Sequence, residues 1–431
     1  MGLLDSNLDA LRRRGFDLPD RLTDPTTSAH LECRDDGQVL LRIHRTLVNL
    51  HLPEASIQHI LDGLPEAPSE ILLFGLGLGE VLEELLLVHS QTPIVAWERD
   101  PAILAIVLSQ VDCAEAILEG RLQLILGCDL WEHRPGPETT VLIHPLLRQI
   151  YWREQEWMEG DAERPIAAIA AGTLFVDDLS HALLEEGMAT WTLDLLTHSR
   201  AELNRTLTTL KPRAVAAINY TLGLAELCTE HALPLLVWEI DPSIESVRPP
   251  TSAIEGAHIF SWCRPNIDAW KKAGFASAHY LPLAANPAHR TPLTPTRAEK
   301  GRYEAEICFV GSSLLRQVVE FRNLLRGGVG EWLRRNRKDP DQAGPIIDAI
   351  LMHQREKLSR YVIPDLVEGA MPGFLAEMKA LKQRFDPVAL LGELAAAERR
   401  LSVVASLGDQ GIQVWGDPGW RCIQKHGVRF R

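Results

Sequence analysis

The sequence predicts an α/β protein of consecutive parallel-sheet domains with a helical carboxyl-terminal region, and three observations carry that expectation. Short apolar runs recur along the chain and end in small, polar or acidic residues: Ala214-Val-Ala-Ala-Ile-Asn219, Leu235-Leu-Val-Trp-Glu-Ile-Asp241 and Ile307-Cys-Phe-Val-Gly-Ser-Ser313 are examples. Helix-like segments separate most of them. Runs apolar on both faces, with functional groups at their carboxyl ends, are how buried parallel strands read. The length of 431 residues admits two or three domains, and an apolar fraction of 46% supplies cores for them.

The elements follow in order. Gln38–His44 reads as a strand leading into the first block, residues 1–155. Ile71–Gly75, Ile94–Glu98, Leu122–Leu126 and Thr140–His144 read as its further strands, with helices at Val81–Val88 and Ala102–Leu108. Trp152, Trp157 and the acidic residues around them mark a polar connection into the second block, residues 156–300. There Pro165–Ile169, Ala189–Leu193, Arg213–Ile218 and Pro234–Ile240 supply strands, followed by the runs Ile259–Trp262 and Tyr280–Asn286. Helices are expected near 177–187, 199–210 and 222–231. Prolines 282, 287, 292 and 295 make an extended crossing. The third block, residues 301–431, opens with the strand Glu304–Val310. A helical stretch from 314 to 406 should break at Gly327-Gly328, Asp339-Pro340 and Pro372-Gly373, before a last strand at Gly411–Trp415.

Composition narrows the function classes. A net charge of -14 argues against a broad nucleic-acid or anionic-membrane surface. The amino terminus lacks a basic start followed by an apolar core, and no run reaches the ~20 apolar residues of a membrane span. Seven scattered cysteines without a CxxC pair read as reduced, mostly buried thiols of a cytoplasmic protein, not a zinc or disulfide framework.

Two constellations carry chemistry. Gly75-Leu-Gly77-Leu-Gly79 follows a strand and opens a helix, and Glu98 ends the next strand. Glycines let a ligand approach the backbone, a helix amino terminus favours negative charge, and the acid can bind ribose hydroxyls. The spacing is similar to the S-adenosylmethionine loop of methyltransferases, with Ile143-His-Pro145 where their polar-Pro motif falls, but Leu73 stands where they carry an acid. A tight strand-to-helix turn that binds nothing explains the same glycines.

The second constellation lies at strand ends. Asn219 and Tyr220 end one strand; Glu239 and Asp241 end the next. Such a rim can hold a hydroxyl-bearing substrate beside a base, and Asp241-Pro242-Ser243 is equally good helix-capping chemistry. Gly311-Ser312-Ser313 precedes a helix carrying Arg316, a pattern that suits a phosphate as well as a plain turn.

The ordered set of these segments, from about residue 165 to 320, resembles the CgeB-like (spore-protein type) glycosyltransferases, which have two facing Rossmann-like domains, the GT-B fold. The resemblance implies a Rossmann-like first domain, an acceptor-side GT-B domain over 156–300, and an incomplete donor-side domain of two strands with a helical insertion over 301–431. It implies sugar transfer from a nucleotide sugar to an acceptor the sequence does not identify. Asp241 or Glu239 would be the base; Asn219, Tyr220, Asn286, Gly311, Ser312 and Arg316 would bind substrate and donor. No cofactor or metal is required, and Asp339-Pro340-Asp341, the one Asp-x-Asp match, reads as a turn. The alternatives are an S-adenosylmethionine-dependent or nucleotide-binding protein acting through Gly75, Gly77, Gly79 and Glu98, and a non-catalytic scaffold in surface glycosylation. The oligomeric state is not legible.

Overall fold

The computed structural model describes residues 2–23, 29–33, 39–43, 46–172, 174–195, 197–240, 256–275, 277–288, 291–357, 360–380 and 385–431. The chain divides into two compact units, Met1–Arg290 and Thr291–Arg431. The fold class is the one read from the sequence: parallel-sheet α/β layers followed by a helical carboxyl-terminal region.

The first unit begins with β1 (Ala29–Cys33), β2 (Val39–Ile43) and β3 (Thr46–Val48), which pair antiparallel. The strand expected to lead into the parallel sheet is thus the centre of a separate meander. Short intervening segments permit hairpin pairing, whereas a parallel neighbour would need a crossover of a dozen or more residues.

A four-stranded parallel sheet follows, made of β4 (Glu70–Phe74), β5 (Ile94–Glu98), β6 (Leu122–Leu126) and β7 (Thr139–Ile143) in the order β6-β5-β4-β7. Its strands β4, β5 and β6 are largely buried, with Ile71, Leu73, Phe74 and Trp97 at 0% exposure, while the edge strand β7 is partly exposed at Val141. Because β5 and β7 lie on opposite sides of β4, the crossover direction reverses between the carboxyl ends of β4 and β7. That is the ligand-binding position of an open α/β sheet.

The second parallel sheet has six strands: β8 (Ile166–Ala170), β9 (Ala189–Leu193), β10 (Ala214–Ile218), β11 (Leu235–Glu239), β12 (Ala257–Ser261) and β13 (Ser277–Tyr280). Their order is β13-β12-β11-β10-β8-β9, which puts its reversal between β8 and β10. The run Tyr280–Asn286 contributes only its first residue to a strand, since Pro282 has no amide to donate to a ladder.

The polar connection around Trp152 and Trp157 is an amphipathic helix, Trp152–Glu159, with one face buried and Glu156 and Glu159 exposed. Helical periodicity puts Arg153, Glu154, Trp157 and Met158 on one inward face. The Trp157 ring stacks on Trp131 at 5.1 Å and meets Trp191 edge-on at 5.5 Å. One hydrophobic core therefore runs from the four-stranded sheet to β9 of the six-stranded one.

In the second unit β14 (Cys308–Val310), β15 (Gln413–Trp415) and β16 (Arg429–Phe430) form a parallel sheet, one strand more than expected. The two-residue β16 is too short to leave an apolar run in the sequence. Cys308 is exposed, contrary to the buried thiol its apolar neighbours suggested, because it alternates with Phe309, the residue packed on the core. The helix Leu315–Arg335 runs unbroken through Gly327-Gly328. Gly328 is there for space: a Cβ on it would lie 2.5 Å from the Phe385 ring. The helices Ala343–Glu356, Ile363–Ala370, Phe374–Ala380 and Pro387–Ser406 complete a separate helical core. Among the described residues, no helix is long and apolar enough to cross a membrane.

Candidate functional site

At the carboxyl ends of β10 and β11 the sequence-predicted residues are brought together in part. Asn219 adopts φ 61°, a left-handed conformation that asparagine tolerates better than most residues. Its Oδ1 accepts from the Ile240 amide at 2.9 Å, so the side chain ties one strand end to the next. Trp262 Nε1 donates to the Ile240 carbonyl at 2.8 Å from the neighbouring strand. Glu239 is 2% exposed, and Asn266 Nδ2 stands 3.5 Å from each of its carboxylate oxygens. That amide was not anticipated; it comes from the helix Arg264–Lys272, whose short polar positions give no sequence signal of their own. Tyr220 turns inward, edge-on to Trp270 and Phe275 at 5.8 and 5.0 Å. Burial, with Glu226 nearby, pushes its phenol up to about 12. Asp241 lies outside the described residues. Asn286 closes a local turn by accepting from the Ala288 amide at 2.9 Å, and no contact joins it to Glu239.

In the second unit, Gly311 and Ser312 follow β14 and Ser313 precedes the helix Leu315–Arg335. Asp417, two residues past β15, accepts from the Ser313 amide at 2.5 Å and its hydroxyl at 2.6 Å, and from the Gly419 amide at 2.9 Å. Against desolvation, these donors hold the Asp417 carboxyl down to about 2. The Leu314 and Leu315 amides are capped by Ser312 and Ser313 hydroxyls at 3.1 and 3.3 Å. Three amides that a phosphate would use are therefore engaged by the chain itself, while the Ser312 and Arg316 side chains remain at the surface.

The glycine loop lies at the reversal point of the four-stranded sheet. Gly75, Gly77 and Gly79 have φ of 81°, 60° and 98°, conformations that glycine adopts at little cost. What approaches them is the chain's own side chains. A Cβ on Gly75 would lie 2.9 Å from Leu147, one on Gly77 2.3 Å from Nε2 of His144, and one on Gly79 2.7 Å from Val111. Glu98 is fully buried. Its Oε2 accepts from the Leu76 amide at 3.0 Å, and its Oε1 from the Arg99 and Asp100 amides at 2.8 and 3.1 Å and from the Tyr151 hydroxyl. Desolvation raises its carboxyl to about 7 although the Tyr151 hydroxyl and two of the amides pull the other way. Phe74, Trp97 and Tyr151 form an aromatic cluster beneath the loop, with Trp97 4.2 Å from Phe74 and 5.3 Å from Tyr151. The Arg99 guanidinium stands 4.4 Å over the Tyr151 ring.

His144 is 0% exposed, and neither ring nitrogen has a hydrogen-bond partner. Burial lowers it to about 4 from an ordinary 6.5. The sign follows: folded His144 stays neutral while the unfolded chain takes up a proton below pH 6.5. Stability is therefore intact above 6.5 and lost as pH falls toward 4, by roughly 3 kcal/mol at one pKa unit per 1.4 kcal/mol. Glu98 acts oppositely, because its raised pKa costs stability as pH rises from 4.5 to about 7. A His144→Gln variant should gain about 3 kcal/mol relative to wild type between pH 6.5 and 4 in denaturant titrations. Parallel pH profiles of the two proteins would show that the imidazole is not buried neutral.

The sequence singled out Glu98 and noted His144, but not Tyr151. An aromatic residue 53 positions from its carboxylate partner leaves no local pattern.

No family model matches this sequence, and no curated protein matches it. Among solved structures, the chain is similar to the MAf glycosyltransferase from Magnetospirillum magneticum AMB-1, with 14% identity and a TM-score of 0.26 over 67% of this chain. The match spans 57% of that protein's chain.

Proposed function

We propose that the protein is a glycosyltransferase of CgeB-like, GT-B type that transfers a sugar from a nucleotide sugar to a hydroxyl-bearing acceptor in the cytoplasm. In this reading residues 156–300 are the acceptor-side domain, residues 301–431 the donor-side domain, and residues 1–155 an additional Rossmann-like domain. The observation that supports it best is the placement of Asn219 and Glu239 at the carboxyl ends of the adjacent strands β10 and β11, with β10 bordering the reversal point of the six-stranded sheet. Glu239 is buried, and among the described residues its carboxylate has the long Asn266 contacts alone, which leaves it lone pairs for a substrate hydroxyl.

The chemistry needs one base and one anion stabiliser. Glu239 or Asp241 takes the acceptor hydroxyl proton as its oxygen bonds to the anomeric carbon. The bond from that carbon to the nucleoside diphosphate breaks, and the phosphate leaves with the electron pair. Arg316, with the Ser312 hydroxyl and Gly311, is assigned to the departing phosphate. Asn219, Tyr220 and Asn286 are assigned to substrate positioning. The proposal assigns no metal and no cofactor beyond the donor.

The test is a thermal-shift and hydrolysis screen of the full chain against uridine, guanosine and thymidine diphosphate sugars. A stabilising donor should be found. With it, Glu239→Gln or Asp241→Asn should slow turnover by about 100-fold or more while the thermal shift persists. Neither a shift nor turnover with any donor would remove the proposal and leave the scaffold reading.

A further inference from the structure

We infer that the glycine loop of the four-stranded sheet is a nucleoside site closed by the chain itself, with the segment from Pro145 to Tyr151 as its plug. Three features converge there. The loop and the start of the helix Glu80–Val88 occupy the reversal point of the sheet, where oriented amides and a helix amino terminus receive ligands. Glu98 ends the adjacent strand, the position from which a carboxylate binds a ribose diol. In this structure the hydroxyl it receives is that of Tyr151, and Leu147 fills the space above Gly75. The phenol thus stands in for a sugar hydroxyl.

His144 supplies an independent sign of a missing ligand. Buried polar atoms are almost always hydrogen-bonded, yet both nitrogens of this fully buried ring lack partners, and Nε2 faces Gly77. A neutral imidazole offers one donor and one acceptor. A nucleoside entering as the plug swings out would satisfy both and would replace the Tyr151 hydroxyl on Glu98. The plug makes binding conditional, since apparent affinity falls by the fraction of molecules that are open.

The chemistry that identifies the ligand is the ribose diol, and the probe is adenosine. Tyr151→Phe keeps the ring packing on Trp97 and Phe74 but removes the hydroxyl that competes for Glu98. Full-length wild type and variant would be titrated calorimetrically with adenosine and 2′-deoxyadenosine. Losing a competing hydrogen bond should tighten adenosine binding by about tenfold. The deoxynucleoside should show no such gain. Equal affinities of the two proteins, equal gains for both nucleosides, or no binding to either protein at millimolar concentration would each overturn the inference. Nucleotide-sugar binding, assigned above to residues 301–431, is read in a different assay, so neither result decides the other.

Discussion

Gly77→Ala is expected to destabilise the first unit by about 2–5 kcal/mol, in two parts. The residue sits at φ 60°, where an L side chain costs ~1–2 kcal/mol. The added methyl would also lie 2.3 Å from the His144 ring, which is packed on all sides and must shift, a strain of ~1–3 kcal/mol. The steric part belongs to the pair and the conformational part to Gly77 alone. A double-mutant cycle with His144→Ala separates them: the double variant should be less destabilised than the sum of the singles by about 1–3 kcal/mol. Strict additivity would show that the imidazole does not rest on the glycine.

Gly416→Ala should disrupt the second unit by about 4 kcal/mol, for a different reason. The methyl would stand 2.1 Å from the Gly311 carbonyl oxygen and 2.8 Å from Trp420 Nε1, which donates to that same carbonyl at 2.7 Å. Backbone cannot rotate aside as a side-chain end can, so the ends of β14 and β15 must part, and the Asp417 contacts to Ser313 part with them. Gly411→Ala is the control. It has φ 76° and nothing within 4 Å of an added Cβ, so it should cost only ~1–2 kcal/mol. Urea unfolding should show Gly416→Ala melting the second unit early with the Met1–Arg290 transition unmoved. Equal losses from the two substitutions would mean that the carbonyl contact is not the cause.

These glycines show which parts of the molecule could be read in advance. The strands from Glu70 to Ser261 were legible because buried parallel strands need continuous apolar runs and their crossover helices have a different period. Gly75, Gly77 and Gly79 were legible as a turn, since positive φ selects glycine. Their neighbours Leu147 and Tyr151 were not, and His144 only within the run Ile143-His-Pro145, because proximity across more than fifty residues is a property of the folded sheet. The helix through Gly327-Gly328 defeated local propensity for the same reason: a Phe385 ring far along the chain made the space worth having. β16 was missed because two residues carry no period at all. At the candidate site, Asn219 and Glu239 could be placed at strand ends from their runs. Asn266 and Asp417, which touch them or their counterparts, arrive from other elements.

The aromatic cluster beneath the glycine loop gives the protein an optical gauge. Trp97 is fully buried, its indole donates to the Gly127 carbonyl at 2.9 Å, and the Tyr151 ring closes its edge. Its emission in the closed form belongs at the blue end of the tryptophan range. Movement of Tyr151 would admit water to the indole and shift that emission red. A difference spectrum against Trp97→Phe isolates this signal from the other ten tryptophans of the chain. Opening and closing of the loop can then be timed by stopped flow, without a labelled ligand.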